Sequence, residues 1–92
     1  MKKIKYSKME EDVILILGEI IDNPEITKTI NKDTNVATDI GIDSLRMISF
    51  ILKIEEKLNI YIDFDKFSYD HLSSVEKFAK FLELCEKVDL IA

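Results

Sequence analysis

Asp39-Ile40-Gly41-Ile42-Asp43-Ser44-Leu45-Arg46-Met47-Ile48-Ser49-Phe50-Ile51-Leu52-Lys53-Ile54-Glu55-Glu56-Lys57-Leu58 reads as a turn feeding a helix. Asp43 is a natural N-cap, and Gly41 supplies the backbone freedom of the entering turn. From Ser44 onward each residue advances ~100° around the axis. Met47, Phe50, Ile51, Ile54 and Leu58 then share one stripe, which is sufficient to face a core. Leu45, Ile48 and Leu52 form a second stripe roughly 130° away by the same geometry. Arg46, Ser49, Lys53, Glu56 and Lys57 take the remaining side, and Ser44 projects between the two apolar stripes. The helix thus carries more apolar surface than one buried face requires. Two readings stay open: a helix sandwiched between neighbours, or a strip on which a partner docks.

Outward from this segment the periodicity remains helical. A first helix is expected from about Ser7 to Ile21, with Ser7 and Glu10 at capping-box spacing. Met9, Val13, Ile16, Leu17 and Ile20 line one of its faces. Asn23-Pro24 ends it. From Asp22 to Asp43 the chain is mostly polar, a long connection of the kind that is often functional. Glu25 to Ile30 can form a turn or two behind Pro24. Isolated Ile26, Ile30, Val36, Ile40 and Ile42 are placed to pin this connection to the core. A short third helix is expected near Asp65 to Asp70. A last helix is expected from about Ser74 to Lys87, with Ser73 and Glu76 at capping-box spacing and Val75, Phe78, Ala79 and Leu82 inward. The expected fold class is all-α: a small four-helix bundle, three longer helices and one short, with the long loop between the first and second.

Composition limits the function classes. The 92 residues make one small domain, read as residues 1–92, with 18 acidic and 13 basic side chains and a net charge of −5. Charge is spread evenly: residues 1–46 hold 7 basic and 9 acidic groups, and residues 47–92 hold 6 and 9. An acidic balance disfavours phosphate backbones, so no nucleic acid is expected. The longest apolar run, Val13 to Leu17, is far short of the roughly 18 residues of a membrane span. The Met1-Lys2-Lys3-Ile4-Lys5 start is followed by Lys8, Glu10, Glu11 and Asp12, without the apolar region of a signal peptide. A cytoplasmic protein acting as a monomer is therefore expected. Cys85 has no intramolecular disulfide partner, reads as half-buried packing, and no Cys/His set suits zinc. Asp63, Asp65 and Asp70 lack the glycine and closing glutamate of a calcium loop, so no metal is expected and they read as caps of the short helix. The one histidine, His71, reads as a surface or helix-end residue. Gly41-Ile42-Asp43-Ser44-Leu45 lacks the second glycine of a hydrolase nucleophile elbow, so no catalytic residue is expected.

Ser44 falls at a helix N-terminus, where unpaired amide N–H groups and the helix dipole favour an anion such as a phosphate ester. The plain alternative is that Asp43 and Ser44 only cap. Beyond that, Asp39-Ile40-Gly41-Ile42-Asp43-Ser44-Leu45 resembles the phosphopantetheine-attachment motif of acyl carrier proteins: a hydrophobic residue, Gly, any residue, then Asp-Ser-Leu. The resemblance extends through Glu55-Glu56-Lys57-Leu58-Asn59-Ile60, Ile62-Asp63-Phe64 and Leu72-Ser73-Ser74-Val75. It implies a non-enzymatic carrier with 4′-phosphopantetheine on Ser44, installed from coenzyme A by a phosphopantetheinyl transferase that Asp43 and Leu45 help to recognise. Acyl groups would ride the arm as thioesters to the acyl-transferring or condensing enzymes of fatty acid or related biosynthesis. Leu45, Ile48 and Leu52 would be the strip those partners read, with Glu55 and Glu56 as acidic contacts. Arg46 sits where fatty-acid carriers often have an acidic residue and would alter partner choice. An aminoacyl, peptidyl or polyketide carrier, or a helical adaptor without the arm, are the alternatives.

Overall fold

The computed structural model describes residues 6–88. The described residues are mostly helical, with three α-helices among them, α1 (Lys8–Ile21), α2 (Ser44–Leu58) and α3 (Val75–Glu83). Two 3-10 helices, Pro24–Lys28 and Tyr69–Leu72, lie in the connections, and β1 (Ile60–Tyr61) pairs antiparallel with β2 (Glu86–Lys87). No described helix is long and apolar enough to cross a membrane.

The expected capping box starts α1: the Ser7 hydroxyl oxygen accepts the Glu10 N–H and the Glu10 carboxylate accepts the Ser7 N–H. Glu10 is buried there, with the Lys32 ammonium 3.9 Å away. The inner face of α1 is Val13, Ile14, Ile16 and Leu17. Gly18 lets the 3-10 helix Pro24–Lys28 come close, since a Cβ there would stand 2.7 Å from the Thr27 methyl.

The long connection is pinned as its isolated apolar residues suggest. Ile30 and Val36 are buried, while Ile26, Ile40 and Ile42 pack half-buried against the core. Backbone pairing adds to this. The Lys32 and Thr34 carbonyls accept the Glu76 and Val75 N–H groups, and the Val36 N–H donates to the Leu72 carbonyl. The connection thereby supplies acceptors to first-turn donors of α3 that no helical carbonyl can reach.

Local corrections follow. In place of a short helix over Asp65 to Asp70, an Asx turn led by Asp63 is followed by the 3-10 helix Tyr69–Leu72. Ser74, not Ser73, caps α3 by accepting the Lys77 N–H, while the Ser73 hydroxyl donates to the Asp70 carbonyl. Helix α3 ends at Glu83 rather than Lys87, and Glu86 and Lys87 are taken into the ribbon with β1. Its inner face, Val75, Phe78, Ala79 and Leu82, is buried as expected. The Phe78 ring meets Phe50 of α2 at 5.5 Å and Phe67 at 6.2 Å, forming the centre of the core.

Candidate functional site

The turn into α2 is built from side chains that serve as backbone surrogates. The Asn35 amide oxygen accepts the Ala37 and Thr38 N–H groups, and the Asp39 carboxylate accepts the Asn35 N–H. Gly41 follows with φ of 72°, the left-handed region that favours glycine. Asp43 then caps α2, its carboxylate accepting the Arg46 N–H at 2.8 Å. Ser44 is the first helical residue. It is exposed, and its hydroxyl makes no hydrogen bond among the described residues. The site is thus a free hydroxyl at the positive end of a 15-residue helix, flanked by one carboxylate. That arrangement accommodates a phosphodiester on the oxygen and gives the hydroxyl no base of its own. The His71 imidazole is engaged elsewhere: Nδ1 accepts the Ser68 N–H, and the ring stacks on Phe81 at 4.3 Å.

The two apolar stripes of α2 have separate fates. Met47, Phe50, Ile51 and Ile54 are buried in the core, with Leu58 half-buried against it. Leu45, Ile48 and Leu52 stay 77%, 58% and 56% exposed. Arg46 is exposed at the first turn, which holds no acidic residue. Lys53 and Lys57 both approach Glu19 of α1, at 4.0 and 3.3 Å, whereas Arg46 has no ion-pair partner among the described residues.

At the foot of α2, Asn59 takes the left-handed conformation and ends the helix. Glu55 and Glu56, paired in the sequence reading, part company here. Glu56 is exposed. Glu55 is half-buried and turned inward, its carboxylate accepting the Ile62 N–H at 2.9 Å. Tyr61 of β1 and Val88, beyond β2, extend the exposed apolar surface below Leu52 and line with it a cleft of about 430 Å³. Sequence reasoning missed both. The β-branched and aromatic run Ile60-Tyr61-Ile62 was a strand signal, though only three residues long. Cys85 is half-buried beside a second cavity, of about 420 Å³. Burial pushes its thiol pKa up, Glu55 adds to the rise, and Lys66 offsets part of it.

The model of one protein family, described as phosphopantetheine attachment site, matches residues 11–82, well over half of the chain. The match runs from α1 almost to the end of α3 and includes the whole turn into α2. No curated protein matches the chain.

Proposed function

The chain belongs to the phosphopantetheine-attachment family, and on that premise we propose that it is an acyl carrier protein whose Ser44 holds the arm. Domains of this family are carriers, not enzymes, and bear covalently attached 4′-phosphopantetheine placed by a phosphopantetheinyl transferase. The observation that carries the assignment is the Ser44 hydroxyl: exposed, unbonded, and at the N-terminus of a long helix. The arm supplies the thiol on which an acyl group is held as a thioester. Ser44 Oγ forms the bond to phosphorus, loses its proton, and displaces adenosine 3′,5′-bisphosphate from coenzyme A. Asp43 fixes the first turn so that Oγ faces outward, and Leu45 offers the transferase an apolar contact beside it.

Residues 1–92 are read as one carrier domain, in which the 3-10 helix Tyr69–Leu72 stands as the short fourth member of the bundle. The exposed Leu45, Ile48 and Leu52 support a strip read by acyl-transferring or condensing enzymes, with Glu56 as an acidic contact beside it. Glu55 contributes through the position of β1 rather than by free charge. Fatty acid or related biosynthesis in the cytoplasm is the proposed setting, consistent with the one cysteine being unpaired. The exposed Arg46 on a first turn without acids favours a second reading, an aminoacyl, peptidyl or polyketide carrier of a specialised pathway.

Intact mass spectrometry after incubation with coenzyme A, magnesium and a promiscuous transferase tests the assignment. The chain is expected to gain the mass of one phosphopantetheine, and Ser44→Ala none. Folded wild-type protein that gains nothing overturns it.

A further inference from the structure

The exposed face of α2 has two borders. One is the apolar strip of Leu45, Ile48 and Leu52. The other is a row of cations, Arg46, Lys53 and Lys57. On a helix these three fall within ~40° of one another and run ~16 Å along the axis. Ser49 and Glu56 lie between the two borders, both exposed. We propose that the enzymes served by this carrier present an acidic surface to α2, with carboxylates opposite Arg46, Lys53 and Lys57 beside an apolar hollow for the strip. The proposal deepens the carrier reading and rests on Ser44 as the attachment point.

Local charge carries the argument. The protein as a whole is acidic, at −5, yet the first turn of α2 holds no acidic residue. Asp43, just before that turn, keeps its carboxylate on the Arg46 N–H as the cap. The Arg46 guanidinium has no ion-pair partner among the described residues. Lys53 and Lys57 share a single carboxylate, Glu19 of α1: Lys57 bonds it at 3.3 Å and Lys53 stands at 4.0 Å. Glu55 is turned inward onto the Ile62 N–H. Among the described residues of this face, three cations therefore meet two exposed carboxylates, Glu19 and Glu56. Exposed charges more than ~8 Å away are screened at physiological salt, so a docked partner feels this row rather than the net charge. A basic partner surface would set like charges against each other along the length of the helix. The exposed leucines beside the row favour a protein surface over a phosphate backbone, which gives them no apolar contact.

Two amphipathic helical peptides test it. They share one apolar face and differ at the flanking positions, glutamate in one and lysine in the other. Each is titrated into the isotope-labelled chain, and backbone amide shifts are followed by NMR. The glutamate peptide is expected to bind about tenfold more tightly, the sum of a few exposed ion pairs of modest strength. Its shifts are expected at Arg46, Lys53 and Lys57 as well as along the apolar strip. Arg46→Glu, at an exposed position without an ion pair, is expected to bring the two affinities level while leaving thermal unfolding unchanged. Equal binding by the wild-type chain, tighter binding of the lysine peptide, or no binding of either overturns the proposal. So does a DNA duplex that shifts the same three cations at lower concentration than the glutamate peptide. Intact mass after incubation with coenzyme A and a transferase is read on the same chain. A chain that loads yet prefers lysine loses only the acidic partner, and one that gains no phosphopantetheine loses the carrier reading and this proposal with it.

Discussion

The two apolar stripes of α2 differ little in composition and entirely in circumstance. Met47, Phe50, Ile51 and Ile54 are buried in the core, where α2 packs on α1 and the Phe50 ring meets Phe78 of α3. Leu45, Ile48 and Leu52 meet nothing among the described residues that covers them. The contrast separates two uses of the same side-chain chemistry. Apolar area buried on folding stabilises the fold, whereas apolar area left out is available to whatever binds later. Ser44, the proposed attachment point, stands at the boundary between the two stripes.

That contrast sets the largest expected effect. Phe50→Ala should lower unfolding free energy by about 3–5 kcal/mol, the cost of an emptied aromatic site in a packed core. Leu52→Ala should change it by no more than about 0.5 kcal/mol, as at other exposed positions. Chemical denaturation of both variants checks the pair, and equal losses would show that the outer stripe is covered in solution. Next in size is Glu55→Ala. It removes the acceptor of the Ile62 N–H, a residue wholly out of water, and should cost about 1–3 kcal/mol. Glu56→Ala, one position on and exposed, should cost almost nothing; if the two losses match, the inward and outward glutamates do not differ as described. The smallest effect concerns Cys85. Burial disfavours its thiolate, so the folded thiol ionises at higher pH than an unfolded one and alkylates more slowly near neutrality. In protein carrying the arm without an acyl group, iodoacetamide should therefore modify the arm's thiol first and Cys85 only as the pH is raised. Equal rates near neutral pH would show a solvated cysteine.

Much of the helical architecture was legible because its signals are local. Capping at Ser7 and Asp43 and the inward faces of α1, α2 and α3 depend on neighbours within a turn or two, and they appear where the spacing puts them. The Asp43-Ser44-Leu45 turn was legible for the same reason. What escaped were features set by distant partners. Local periodicity carried the last helix to Lys87, but pairing of Glu86 and Lys87 with Ile60 and Tyr61 ends it at Glu83. The spacing of Ser73 and Glu76 pointed to Ser73 as the cap, but Ser74 takes that place where the Val36–Leu72 and Thr34–Val75 backbone bonds hold the start of α3. The two adjacent glutamates look alike in the chain, and only the approach of Ile62 distinguishes them.

Sequence alone established a small helical domain, a hydroxyl at a helix mouth, and a helix with more apolar surface than one core contact consumes, because spacing along a helix fixes which residues share a face. It left open whether the second stripe is covered, since burial depends on what packs across from it. Tertiary packing answered that by filling one side of α2 with α1 and α3 and leaving the other to water. It also joined the exposed stripe to a cleft at the helix foot, through a strand pairing between segments some 26 residues apart.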